Sequence, residues 1–385
     1  MAKRTRIALI VAICGLVFLV AWMINHSGTS RVGENTLRVG AVLPLTGDLA
    51  AYGNNSKDGI ELAEQELNDR AAHAGGLNVQ LFVEDSKGEP QTAVSALLKL
   101  ITVDHISCVI GDVGSSPTLA MAPIANQSKI VLFSPAASSP NISKAGDYVF
   151  RDWPSDDFEA SGMAQYVKTK GYRKIGVLLV NNDYGQAMLK SFSERIQPFG
   201  GAITDTETFQ QNATDLRTQL TKLQASNPDV LYLISYPKDT IVFLRQYAEL
   251  GTKIPIISTS SFEDPQILKL QGRVTEGVVF TSPVPPDQTD PIVDRFRESY
   301  AKKYGKGPGL VADYAYDALR VLAEAARLSG GTSGEKLRNG LQLVKDFHGA
   351  SGIINFDSNG DVLKPVGLKT VKDNQFVWLS SQSLK

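Results

Sequence analysis

Two segments of this chain place small hydroxyl residues directly after a short apolar run. In "CVIGDVGSSPTLAMAPIA" (108–125) the run leads into Ser115, Ser116 and Pro117, and in "IVLFSPAASSP" (130–140) it leads into Ala136, Ala137 and Ser138. Residues of these types, set where a strand hands over to a helix, suit the holding of an anion. The first N–H groups of a helix lack intrahelical partners, and the macrodipole favours negative charge there. Ser116 is expected to cap the helix with Pro117 in its first turn, which leaves Ser115 facing a guest. Serine near a helix start is also an ordinary cap, so the pattern alone fits a ligand cradle or a plain helix start.

Chemistry beyond binding finds little support. No Gly-x-Ser-x-Gly elbow and no phosphate loop ending in Gly-Lys-Ser/Thr occurs, since "GGTSGEK" (330–336) lacks the Gly-Lys pair. His26, His73, His105 and His348 have no metal-ligand spacing and no evident acidic partner. Asp156 and Asp157 are adjacent on one stretch, a placement more typical of caps or ligand contacts than of an acid/base pair. No catalytic residue, cofactor or metal is expected, and the chain reads as a binder rather than an enzyme.

The elements that must position these residues follow an alternating pattern. "LRVGAVLPL" (37–45) reads as a strand, and 55–72 as a helix with Ile60, Ala63 and Leu67 on one face. A strand at 79–86, a helix at 89–103, "SCVIGD" and "IVLFSP" continue the series. It restarts with "KIGVLLVNND" (174–183), then a helix near 186–197, a strand near 230–235, a helix near 239–250 and "IPIIST" (254–259). Such alternation implies parallel sheets covered on both faces, and two series imply two lobes. Tyr52-Gly53 and Tyr184-Gly185 each follow the first strand of a series, which would aim a tyrosine from each lobe at a shared cleft.

Composition sets the remaining bounds. The 385 residues are 43% hydrophobic, enough for a large core, and 39 Lys and Arg balance 40 Asp and Glu. That balance carries no basic patch for nucleic acid. Cys14 and Cys108 are the only cysteines, and Cys14 lies in the N-terminal apolar run, so no internal disulfide is expected. Lys3, Arg4 and Arg6 precede an uncharged run from Ile7 to Ile24, the layout of an export signal within residues 1–30. The run is also just long enough to span a membrane, so cleavage and retention as an anchor both fit.

Taken in order, "LRVGAVLPLTGDLAAYGNNSKDGIELAEQELN", "VIGDVGSSPTLAMAPIANQSKIVLFSPAASSP", "YVFRDWPSDDFEASGMAQYV", "NNDYGQAM" and "FLRQYAELG" resemble the type 1 periplasmic binding proteins. The nearest branch is the leucine/isoleucine/valine- and amide-binding group that serves ABC importers, and the likeness runs from about residue 36. It implies an α/β fold of two Rossmann-like lobes joined by a three-crossing hinge, with a ligand cleft between them. Lobe one is expected at 36–154 plus 284–362, and lobe two at 155–283 plus 363–385.

The resemblance also implies a site. Ser115, a backbone group at Ala136 or Ala137, and Ser138 match positions that grip a ligand carboxylate, with Ser116 beside them. Tyr52, Tyr184 and Tyr236 match aromatic cleft positions, and Asp156 matches an acid near the ligand ammonium. Members that bind amino acids often carry an acid after the "PII" strand; here Ser260 or Ser261 stands there, with Glu263 slightly later. Either Asp156 and Glu263 supply the charge, or the guest has no ammonium, because an unpaired buried ammonium is costly. The implied partners are a small amino acid or related carboxylate or amide and an ABC permease, with no nucleic acid. A monomer in the periplasm or on the outer face of the cytoplasmic membrane is expected, and a ligand-sensing receptor of the same fold is the rival.

Overall fold

In the computed structural model, residues 36–379 are described, except 271–273, so the expected export segment lies outside the described residues. The first half of the chain runs β1 (Thr36–Leu43), α1 (Ala50–Ala74), β2 (Asn78–Asp85), α2 (Pro90–Thr102), β3 (Cys108–Gly111), α3 (Ser115–Ser128), β4 (Val131–Ser134) and β5 (Val149–Arg151). These five strands form a parallel sheet in the order β2-β1-β3-β4-β5. Both faces are covered, which is why the strands are almost continuously apolar. Val39, Ala41 and Leu43 belong to one core, Val42 and Val109 to another on the opposite face.

The chain then crosses to a second sheet through α4 (Asp156–Lys170), followed by β6 (Lys174–Val180), α5 (Asp183–Ile196), β7 (Ala202–Phe209), α6 (Arg217–Ala225), β8 (Val230–Ile234), α7 (Pro237–Glu249), β9 (Ile256–Ser258) and β10 (Val279–Pro283). It returns to the first core with α8 (Pro291–Tyr304), α9 (Ala312–Ser329), α10 (Gly334–Leu341) and the hairpin β11 (Phe347–Gly349) and β12 (Gly352–Ile354). A third crossing leads to β13 (Val366–Lys372) and β14 (Gln375–Trp378) on the second sheet, whose order is β14-β13-β10-β9-β8-β6-β7. The molecule is therefore two α/β lobes joined by three crossings. Among the described residues no helix is long and apolar enough to cross a membrane.

Three features depart from the sequence reading. The second sheet is not wholly parallel, because β13 pairs antiparallel with both β10 and β14. A parallel partner needs a long crossover, whereas β13 and β14 are joined by Asp373 and Asn374, both at positive φ, as a tight hairpin requires. The first helix starts at Ala50 rather than near residue 55. The cap of α3 is Gly114 rather than Ser116, which sits inside the first turn.

The repeated Tyr-Gly pair has a packing cause. A Cβ on Gly53 would stand 2.0 Å from the carbonyl oxygen of Pro44, and one on Gly185 would stand 2.0 Å from that of Val180. In each lobe the glycine lets the first turn of a helix press against the end of the preceding strand, which fixes where the adjacent tyrosine points. Gly185→Ala is expected to lower stability by about 1–3 kcal/mol through this clash, despite the helix preference of alanine. An unchanged urea midpoint would refute that account.

Candidate functional site

The loops after the carboxyl ends of both sheets face each other, the usual place for ligands in open α/β folds. A cavity of about 60 Å³ lies there, walled by Tyr52, Ser115, Ala136 and Ser138 from the first lobe and by Tyr184, Tyr236 and Ser260 from the second. Ser115 is the first residue of α3, and its Oγ accepts the Ser139 N–H at 3.2 Å, joining the two serine loops. Ser134 Oγ donates to the Asp112 carbonyl at 2.6 Å and accepts the Ala137 N–H at 2.9 Å, which shapes the second loop. The result is a concave patch of hydroxyl and amide dipoles with no charged side chain in its wall. Such a patch stabilises an anion of a few atoms, such as a carboxylate.

The second lobe contributes an aromatic wall. The Tyr184 and Tyr236 rings stack with centroids 5.4 Å apart. The Tyr184 hydroxyl bonds Thr259 Oγ1 at 2.6 Å, and Asn182 Nδ2 donates to the Tyr236 hydroxyl at 3.4 Å. Tyr52 reaches the cavity from α1, and its buried hydroxyl has no hydrogen-bond partner. Trp153 completes the wall, packed against Tyr314 at 4.8 Å.

Four sequence-derived candidates stand elsewhere. Ser116 is not in the wall; its Oγ accepts the Asp183 N–H at 3.2 Å, a bond between the lobes. A second such bridge joins Lys238 Nζ to Asp48 at 2.7 Å. Ala137 is buried behind its neighbours. Glu263 is engaged by Ser282 Oγ at 2.5 Å and by Lys369, so it does not offer a free carboxylate.

Asp156 is the fourth. It begins α4, is fully buried, and neither of its oxygens meets a donor at hydrogen-bond geometry. Burial, and then the neighbouring Glu159, push its carboxyl well above the usual range, while the nearby Ser138 hydroxyl and Arg151 act the other way. The acid that sequence reasoning missed is Glu159, one turn further along α4. It accepts from Ser260 Oγ at 2.5 Å, Ser260 N–H at 3.1 Å and Thr281 Oγ1 at 2.6 Å, so Ser260 anchors an acid rather than replacing one.

A larger chamber of about 700 Å³ adjoins the cavity, the two sharing Tyr52, Trp153, Ser260, Leu310 and Val311. Val311 holds φ at 65°, a left-handed conformation that a β-branched residue rarely adopts. It caps α9 and delivers Asp313 and Tyr314 to the chamber wall. Burial, and then Asp317, push the Asp313 carboxyl up to about 6, with Lys364 and the first N–H groups of α9 opposing. No local motif marked Asp313 or Tyr314, and Trp153, though within the "YVFRDWPSDD" segment, was given no role; only the fold brings them to the cleft. Among the described residues no cluster suited to a metal ion occurs.

Comparison with known proteins accords with this architecture. The family model described as periplasmic binding protein matches residues 36–374. "Leu/Ile/Val-binding protein homolog 1" of Brucella suis is 26% identical over 336 residues, covering 85% of this chain and 88% of that one. A solved leucine-binding protein of Thermotoga maritima superposes with a TM-score of 0.81 at 29% identity, over 89% of this chain and 98% of that one. A branched-chain amino acid transporter substrate-binding protein of Streptococcus pneumoniae, solved with isoleucine, gives 0.79 at 26% identity, over 89% and 97%. With two α/β lobes, three crossings and a cleft at the strand ends, the chain belongs to the periplasmic binding protein family.

Proposed function

We propose that this protein is the extracytoplasmic solute-binding component of an ABC importer. It captures a carboxylate-bearing solute, an amino acid in the first instance, between its two lobes. The observation that carries the reading is the uncharged cradle of Ser115, Ala136 and Ser138 at the base of an aromatic cleft. Similarity to Leu/Ile/Val-binding proteins supports an amino acid, and the two bridges between the lobes suit a hinged clamp that grips its guest from both sides. Export follows from the family and from the basic, then apolar, N-terminus.

In this reading the ligand ammonium lies on the Ser138 side of the cavity, turned toward Asp156, which is buried behind that wall with neither oxygen at hydrogen-bond geometry to a donor. A second reading, a carboxylate without an amine, draws on the same geometry, because Glu159 and Glu263 are both occupied. A thermal-shift panel of amino acids, amides and aromatic acids separates the two, since a ligand of the native state raises its melting temperature.

Ser115→Ala and Ser138→Ala should each weaken binding of the carboxylate found in that panel by about ten- to a hundredfold, the worth of a hydrogen bond to charge. Their circular dichroism should match the wild type, and undiminished affinity in titration calorimetry would dispose of the cradle. Asp156→Asn should penalise amine-bearing ligands far more than their deaminated analogues; equal losses would remove its proposed role.

The raised carboxyl of Asp156 also gives a pH signature. A proton held in the free protein is released when an ammonium docks, so affinity for amino acids should rise with pH until the free carboxyl ionises. Calorimetry in buffers of different ionisation enthalpy reads that proton directly, and a null exchange would contradict the pairing.

A further inference from the structure

We propose that the solute extends beyond a branched-chain side chain and carries a cationic group remote from its carboxylate, received by Asp313. This deepens the reading above and rests on the carboxylate sitting at Ser115 and Ser138.

Space is the first argument. The cavity at the cradle is about 60 Å³, space for a few waters, whereas the chamber that continues from it past Tyr52 and Trp153 is about 700 Å³. That chamber falls within the roughly 300–1,000 Å³ of cavities that take drug-sized ligands. Tyr52 stands where the two meet, and its buried hydroxyl has no partner, which is rare unless a ligand or water completes it.

Charge is the second. Among the other charged side chains of the chamber wall, Lys369, Glu263 and Arg297 meet side chains of the protein, and Asp264 meets a backbone N–H of its own turn. Lys369 pairs with Glu263, Arg297 donates to Gln288 Oε1 at 2.5 Å, and Asp264 accepts the Gln266 N–H at 2.8 Å. Asp313 meets only the N–H groups of its own helix turn. The nearest cation, Lys364, is held by Asp152 at 2.6 Å and Ser351 at 2.7 Å. Lys364 therefore acts on Asp313 only at a distance, and an acid half withdrawn from water without a directly bonded counter-charge gains from a cation on the solute.

The wall between the two ends is the third argument. Trp153 borders both spaces and packs on Tyr314, the residue after Asp313. The Tyr314 ring already carries the Lys364 ammonium, 4.4 Å from its centroid, so the indole of Trp153 is the face that accepts an aliphatic or aromatic spacer. The class implied is a carboxylate and a cation joined by an extended spacer, as in a basic amino acid or an ω-amino acid. Asp313 would also suit the dipole of α9 with no ligand role, and the test must separate the two.

Calorimetry on the full chain with L-leucine, caproate, ε-aminocaproate and L-lysine as probes does so. The proposal expects ε-aminocaproate to bind at least about tenfold tighter than caproate, and L-lysine tighter than L-leucine. Asp313→Asn should erase both preferences and Asp313→Glu restore them in part, while a helix-dipole role would shift only the melting temperature. Should Asp313→Asn fail to fold, Asp313→Ser reads the same preference. Tight L-leucine binding with no gain for the longer amines overturns this inference and leaves the cradle standing. Failure of all four probes overturns both. Preferences that persist in Asp313→Asn overturn the role of Asp313.

Discussion

The cleft depends on one buried cation. Arg151 ends β5 at the point where the chain leaves the first sheet, and its side chain is fully withdrawn from solvent. Its guanidinium donates to the carbonyls of Ser138 and Ser139, each at 2.9 Å, and to Ser143 Oγ at 2.8 Å, and it pairs with Asp361 at 2.7 Å. A buried charge persists only when it is paired and hydrogen-bonded, and here two of the acceptors are carbonyls of the loop that carries Ser138. The same group ties the first crossing to the segment that begins the third. The neighbouring pair of Asp152 and Lys364 repeats that tie at 2.6 Å. The loop that carries Ser138 is thereby held to the first lobe.

Around that point the two lobes line the cavity with different chemistry. The first supplies dipoles without charge, from Ser115, Ala136 and Ser138. The second supplies aromatic surface from Tyr184 and Tyr236, with its acids set one layer back. Ser260 illustrates the arrangement: it lines the cavity with one side and holds Glu159 with the other. A polar group in the wall is thus backed by a buried acid, which keeps its orientation fixed.

Much of this was legible from local pattern. The alternation of apolar strands and amphipathic helices reports covered parallel sheets because burial on both faces leaves no room for polar residues. The Tyr-Gly pairs were legible for an equally local reason, since only glycine admits the close approach of helix to strand at Gly53 and Gly185. The serine loops were visible as residues, and the structure brings Ser115, Ala136 and Ser138 to one cavity. Ser116 was misjudged as a cap because its bond lies across the cleft, with a residue of the other lobe. The antiparallel edge formed by β13 and β14 was hidden for a similar reason: pairing partners far apart in sequence leave no periodic trace.

The sequence by itself determined the layered fold, the handover points from strand to helix and the residue types offered there. Burial periodicity and turn chemistry act over a few residues, so they can be read along the chain. Tertiary structure alone decided which acids remain free. Glu159 is claimed by Ser260 and Thr281, and Glu263 by Lys369 and Ser282, whereas neither oxygen of Asp156 meets a donor at hydrogen-bond geometry and Asp313 meets only backbone N–H groups. A carboxylate's availability depends on what stands within hydrogen-bond reach in space, and those neighbours come from other elements and often from the other lobe.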